Sequence, residues 1–129
     1  MVTDQCGVSS IVFSLKARAL AEPLRRDNAT LQILDLSKND LGNSGAAALA
    51  EALLTNASLE RLDLAYNGVA DEGAGALADA LSTSKSTALQ RLDLKENGVG
   101  DEGARALAQA LRGNGTLLHL DLSINAFQD

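Results

Sequence analysis

One pattern recurs four times along this chain, and it limits the available folds more than any other property. Leucines at strand spacing lead to an asparagine and then an apolar residue. The set Leu31, Leu34, Leu36, Asn39 and Leu41 is followed by Leu59, Leu62, Leu64, Asn67 and Val69. Leu89, Leu92, Leu94, Asn97 and Val99 come next, then Leu117, Leu120, Leu122, Asn125 and Phe127. Successive starts lie 28, 30 and 28 residues apart. An internal period of this length marks a solenoid, in which no unit buries its apolar face alone. The longer period takes its extra residues in Ser82–Ala88, a Ser/Thr/Lys stretch predicted as a longer loop.

The second half of each unit reads as a helix. Leu49 with Leu53, Leu77 with Leu81, and Leu107 with Leu111 are i,i+4 pairs on one face. The spacing predicts helices over Ala46–Leu54, Ala74–Leu81 and Ala104–Leu111. Asn43, Asp71 and Asp101 hold equivalent positions ahead of them, where a side-chain oxygen caps orphan N–H groups. Gly45, Gly73 and Gly103 follow two residues later and admit close approach of a neighbouring backbone. Aromatics are only 2% of a chain that is 46% hydrophobic, so the core is built of Leu, Val and Ala. Upstream, Ala17, Leu20, Ala21 and Leu24 fall at helical spacing, with Pro23 weakening the last turn. Val8–Leu15 reads either as a degenerate strand or as the first turns of that helix, and Met1–Gly7 as a frayed leader. Residues 1–129 are expected to form a single domain, with 1–15 a leader or degenerate first unit and repeats starting near 31, 59, 89 and 117.

Stacked units place strand beside strand in a parallel sheet and helix beside helix outside it. Helices are wider than strands, so the stack curves, with the sheet concave and the helices convex. Each fully buried Leu contributes about 1.5–3 kcal/mol. Asn39, Asn67, Asn97 and Asn125 follow the strands, where the chain turns inward and its backbone lacks sheet partners. An amide side chain supplies both donors and an acceptor there, so these four are expected to form a structural ladder.

The pattern L-x-x-L-x-L-x-x-N-x-L/V followed by x-G-A-x-A-L-A-x-A-L resembles the leucine-rich repeat of the ribonuclease-inhibitor-like class. That class also occurs in NOD-like receptors and in the Ran GTPase-activating protein. Leu89-Gln-Arg-Leu92-Asp-Leu94 with Asn97, Gly103 and Ala104-Arg-Ala-Leu107 carries the resemblance most specifically, and it extends from Leu31 to Phe127. It implies an α/β horseshoe, intracellular (cytoplasmic) and bound to other proteins. The fourth unit has a strand but no helix after it, as in a short relative or a fragment of a longer array.

Strand alternation sends the residues between the leucines outward. Ile33, Asp35 and Ser37 face the concave side, as do Arg61, Asp63 and Ala65, then Arg91, Asp93 and Lys95, then His119, Asp121 and Ser123. Lys38, Tyr66, Glu96 and Ile124 lie just beyond. This face varies while the interior does not, which suits recognition on a fixed scaffold. Arg61, Asp63, Tyr66, Arg91, Asp93, Lys95, Glu96, His119 and Asp121 are therefore the candidate partner-binding residues, with Tyr66, Arg61 and Arg91 as the expected hot spot. The column Asp35, Asp63, Asp93 and Asp121 stacks carboxylates about 4.8 Å apart. It reads as a cation site, as an acceptor for basic partner side chains, or as a column neutralised by Arg61, Arg91 and Lys95.

The remaining signals narrow the function. No nucleophile motif, His/Cys metal cluster or phosphate loop is present, so a non-enzymatic interaction module without metal or cofactor is expected. The alternative is a piece of a larger GTPase-activating or NOD-like regulator. A net charge of −6 disfavours nucleic acid and anionic membrane as partners. Cys6 is the only cysteine, which fits a reducing compartment. The run Gly7–Leu15 has the charge order of a signal peptide reversed, and no run is long enough to span a membrane. Asn28, Asn56 and Asn114 head Asn-x-Ser/Thr triplets, each three residues before a strand leucine, and read as turn residues rather than glycan acceptors. An uncapped last repeat, with Leu120, Leu122 and Phe127 partly uncovered, is expected to favour self-association.

Overall fold

The computed structural model describes residues 2–3, 9–12, 31–84 and 87–126. Strands alternate with helices from Leu31 onward: β3 (Leu31–Asp35), α1 (Gly42–Leu53), β4 (Arg61–Asp63), α2 (Asp71–Thr83), β5 (Arg91–Asp93), α3 (Asp101–Gly113) and β6 (His119–Asp121). Ahead of them lie β1 (Val2–Thr3) and β2 (Ser9–Val12). One sheet runs in the order β1-β2-β3-β4-β5-β6. β2 through β6 are parallel, and β1 lies antiparallel on β2. The result is an α/β solenoid, with the sheet lining the concave side and the helices the convex side. The helix expected across Ala17 to Leu24, together with Pro23, Cys6, Asn28 and Phe127, lies outside the described residues.

The repeat leucines fill the layer between sheet and helices. Leu34, Leu36, Leu62, Leu64, Leu92 and Leu94 are buried from the strand side, and Leu49, Leu77 and Leu107 meet them from the helices. Alanines Ala46, Ala74, Ala50 and Ala78 occupy the seams between neighbouring helices, where a larger side chain would hold the stack apart. Gly73 and Gly103 are required for the same reason. A Cβ on Gly103 would stand 2.8 Å from both Asp71 Oδ1 and Val99 Cγ1, and one on Gly73 would stand 2.8 Å from Val99's counterpart Val69.

The helices begin earlier than the leucine periodicity suggests, and their caps come from elsewhere. Asp71 and Asp101 are the first helical residues of α2 and α3, not their caps, and neither helix receives a cap bond from the side chain preceding it. Asn43 Oδ1 instead accepts from Ala70 N–H at 2.8 Å and Gly73 N–H at 2.9 Å, at the start of α2. Asp71 Oδ1 accepts from Gly100 N–H at 2.7 Å and Gly103 N–H at 2.9 Å, at the start of α3. Each cap therefore serves the helix one repeat downstream. The physical role is the expected one, satisfaction of orphan donors in the first turn, displaced by a full period.

The asparagines bond in the opposite direction. Asn67 Oδ1 accepts from Asn39 N–H (2.9 Å) and Leu41 N–H (3.2 Å) of the preceding repeat. Asn97 Oδ1 does the same for Asn67 N–H (3.0 Å) and Val69 N–H (2.9 Å), and Asn125 Oδ1 for Val99 N–H (2.9 Å). Their amide nitrogens donate to strand-end carbonyls of two adjacent repeats, as Asn97 Nδ2 does to Leu64 and Leu94. The helix-to-strand turns are tied by Asn56 and Asn114, whose Oδ1 atoms accept from the backbone two and three residues on. Asn56 is only 4% exposed, as its role in the turn requires.

Candidate functional site

The parallel register sets the exposed strand positions in columns. Ile33, Arg61, Arg91 and His119 are directly opposed from strand to strand, and so are Asp35, Asp63, Asp93 and Asp121. Side chains in such a column lie about 4.8 Å apart. Ile33, Asp35, Arg61, Asp63, Arg91 and Asp93 line a shallow groove of about 310 Å³. Arg91, His119 and Asp121 border a second, of about 240 Å³, over β5 and β6. The face thus brings Arg61, Asp63, Arg91, Asp93, His119 and Asp121 together. Tyr66, Lys95 and Glu96 lie past the strand ends.

The acidic column is anchored to backbone. Asp35, Asp63, Asp93 and Asp121 each accept, through Oδ1, the N–H of the residue two places on, at 2.9–3.0 Å. These are Asx turns that close the strand and start the bend inward. Where that second residue is serine the hydroxyl adds a bond, from Ser37 to Asp35 at 2.7 Å and from Ser123 to Asp121 at 2.6 Å. The local turn therefore accounts for an aspartate in every repeat. Among the described residues, no three His, Cys, Asp or Glu side chains are grouped to hold a metal ion.

Position along the stack separates the aspartates electrostatically. Burial raises the pKa of Asp63, with a further push from the carboxylates of Asp35 and Asp93, against the Ala65 N–H bond and the nearby Arg91 charge. Asp121 goes the other way. Its two bonds from Ser123 hold it below the ordinary carboxylate value, helped by Lys95 and Arg91.

The cations are arranged differently. Arg61 and Arg91 are exposed, and neither guanidinium has a hydrogen bond or ion pair among the described residues. Arg91 acts on Asp63 and Asp121 only through space. Lys38 is committed, its ammonium lying 5.2 Å from the centre of the Tyr66 ring, a cation–π contact. Tyr66 keeps 42% of its surface exposed.

One feature of this rim has no signature in residue type. Lys38, Tyr66, Glu96 and Ile124 all have left-handed backbone, with φ between 54° and 59°. Such a conformation costs a non-glycine residue about 1–3 kcal/mol and persists only where the surroundings impose it. Here Lys38, Tyr66 and Glu96 donate their N–H groups to Ala65, Lys95 and Ser123 of the next repeat, at 2.9–3.0 Å. Four unlike side chains are thereby displayed from one backbone geometry.

The family model described as Leucine Rich repeat matches residues 27–50, 55–78 and 85–108, more than half of the 129 residues. The chain belongs to the leucine-rich repeat family. Among solved structures, the repeat stack is similar to a structure titled leiomodin-1 actin-binding site 2, with TM-score 0.74 and 23% identity. That alignment covers 88% of this chain and 62% of the other. It is also similar to the tropomodulin C-terminal domain of Caenorhabditis elegans, with TM-score 0.74 and 19% identity over 86% of this chain and 66% of the other. The leucine-rich repeat chain thus spans less than two thirds of either domain. No curated protein matches it in sequence. Among the described residues, no helix is long and apolar enough to cross a membrane.

Proposed function

We propose that this leucine-rich repeat chain is a non-enzymatic, intracellular interaction module, a single domain over residues 1–129, that binds a protein partner on its concave strand face. The observation that carries the reading is the contrast between two neighbouring columns. Each aspartate has its Oδ1 tied to its own turn, while Arg61 and Arg91 stand exposed, side by side and unpaired among the described residues. Two adjacent guanidiniums offer planar, bidentate donors to a partner's carboxylates. Asp63, Asp93, Asp121, His119, Lys95, Glu96 and Tyr66 frame them, and Arg and Tyr are the residue types that dominate interface energetics. The alternative, a piece of a larger GTPase-activating or NOD-like regulator, uses the same face.

The test is affinity capture with mass spectrometry, comparing the native chain with the Arg61→Glu/Arg91→Glu variant and with a helix-side control, Asp79→Lys/Gln109→Lys. Partners lost with the strand-face variant and kept by the control are the expected result. Identical capture by all three would refute the concave-face reading. Actin is the first purified partner to try, because a structurally similar domain is titled an actin-binding site. Acceleration of GTP hydrolysis by a small GTPase would overturn the non-enzymatic assignment.

A further inference from the structure

On the basis of concave-face binding as proposed above, we infer that the segment of the partner seated there is an α-helix laid across the strands. Its acidic stripe meets Arg61 and Arg91, and a neighbouring basic stripe meets Asp35 and Asp63. The face carries two rows of opposite sign. Arg61 and Arg91 are directly opposed on β4 and β5. Asp35, Asp63 and Asp93 form the second row, two residues further along each strand. Two residues of strand separate the rows by about 6.6 Å. All three layers are interior to the sheet, with β3 flanked by β2 and β5 by β6, so this exposure belongs to the face and not to an end of the stack.

The two rows do not neutralise each other. Neither guanidinium has an ion pair or hydrogen bond among the described residues. The turns explain why. The N–H groups of Ser37, Ala65 and Lys95 hold the aspartate Oδ1 atoms at 2.9–3.0 Å, which draws each carboxylate toward the end of its strand and away from the arginines. The Oδ2 atoms accept no hydrogen bond among the described residues. Two residues beyond Asp93 stands Lys95, whereas Ser37 and Ala65 hold that place beyond Asp35 and Asp63. Burial, then Asp35 and Asp93, raise the pKa of Asp63 in spite of the Ala65 N–H and Arg91. A cation from outside supplies the missing attraction. A purely acidic occupant would gain the arginines and be repelled by the row beside them, and a purely basic one the reverse.

The dimensions of the face select a helix. Strand N–H and C=O groups pair with neighbouring strands, so an occupant of the sheet's face gains no backbone bonds from it, unlike a segment added at an edge. A helix satisfies its own backbone and offers side chains alone. Its i,i+4 residues lie about 5–6 Å apart at Cβ, near the step of about 4.8 Å from strand to strand. Acidic residues at i and i+4 therefore reach Arg61 and Arg91 in turn. Alternate residues of an extended segment laid the same way lie about 6.6 Å apart and lose step with the strands. Positions i+1 and i+5 of the helix form the adjoining stripe, where Lys or Arg lies over the aspartate row. Ile33, half-buried at the head of the arginine row, meets an apolar residue one turn away.

The test is fluorescence anisotropy at physiological salt, with the full 129-residue chain and labelled alanine-rich helical peptides of about 20 residues. One peptide carries Glu at i and i+4 and Lys at i+1 and i+5. Two others carry only Glu or only Lys at those four positions, and a fourth is the two-stripe peptide interrupted by proline. The two-stripe helix is expected to bind at least about tenfold more tightly than the other three. Arg61→Glu/Arg91→Glu and Asp35→Asn/Asp63→Asn are each expected to weaken it by about tenfold. Asn keeps the acceptor of each turn, so the second variant retains its fold. The helix-side control Asp79→Lys/Gln109→Lys is expected to change nothing. Equal binding of either single-sign peptide, or indifference to the Asp→Asn pair, would overturn the two-row assignment. Equal binding of the proline peptide would make the occupant an extended segment and overturn the helix. Failure of every peptide, while capture from lysate still depends on Arg61 and Arg91, would sink this inference and leave concave-face binding in place.

Discussion

Asn67→Ala tests how much of the stack's stability resides in its inter-repeat asparagines. The side chain is 1% exposed. Its Oδ1 is the acceptor for Asn39 N–H and Leu41 N–H, and its Nδ2 donates to Leu36 and Ala65 carbonyls. Both carbonyls keep another donor after truncation, Asn39 Nδ2 for Leu36 and Lys38 N–H for Ala65. The loss therefore falls on two backbone donors. Leaving a buried donor unpaired costs about 1–3 kcal/mol. Asn39 is only half-buried and water can reach its donor, so the lower half of the combined range applies, about 3 kcal/mol. The comparison is Asn39→Ala, which strands no backbone donor among the described residues and should cost about 1 kcal/mol or less. Urea unfolding followed at 222 nm measures both. Hydrogen exchange should show lost protection at Asn39 and Leu41 in the first variant and not in the second. Equal destabilisation by the two substitutions would refute the donor accounting.

Other consequences follow from the caps, the seams and the aspartates. Asp71→Ala should cost about 1 kcal/mol and lower hydrogen-exchange protection at Gly100 and Gly103, at the start of α3, more than within its own helix. Gly103→Ala should cost about 1–3 kcal/mol, and the two changes should be non-additive in a double-mutant cycle because both act on Asp71 Oδ1. Asp63→Asn retains the acceptor for Ala65 N–H while removing a charge that burial disfavours. Because the pKa of Asp63 is raised in the fold, ionisation there opposes folding as pH rises through it. The variant should therefore melt higher at neutral pH, and the gain should vanish on acidification below the ordinary carboxylate range. Asp121→Asn should show the opposite sign, a loss at neutral pH that fades as pH falls through the lowered value. Thermal melts of both at several pH values check this, and equal signs would contradict the electrostatic assignment.

The architecture was legible because its cause is periodic. Leu34, Leu62, Leu92 and Leu120 recur at the same place in each unit, and only stacking one unit on the next buries Leu34, Leu62 and Leu92. The columns of the strand face follow from alternation and register alone. The caps were misplaced for an instructive reason. In a repeated sequence a position and its counterpart one period away look alike, so Asn43 gives no sign whether it serves its own helix or α2. The separation is visible only once the layers are set side by side. Other features left no periodic mark. Lys38, Tyr66, Glu96 and Ile124 share a left-handed backbone and no chemistry, so residue type could not reveal it. The Lys38–Tyr66 contact joins two repeats through side chains that occur at those positions once each. The anchoring of the aspartates by the N–H two residues on is a local motif that their spacing does contain, although a stacked carboxylate column reads first as a charge problem.

The opposite directions of the two bond sets bear on how such a chain can be cut and rejoined. The asparagine of each layer closes the turn of the layer before it, and Asn43 and Asp71 close the helix of the layer after. A segment excised at the sequence period therefore leaves open donors at both seams: turn amides on one side, a helix start on the other. The portable module is a pair of half-layers straddling a seam, from one strand leucine set through the helix start it caps. Shuffling or shortening by whole periods preserves the fold only where an asparagine and a capping oxygen meet their counterparts again across the new joint.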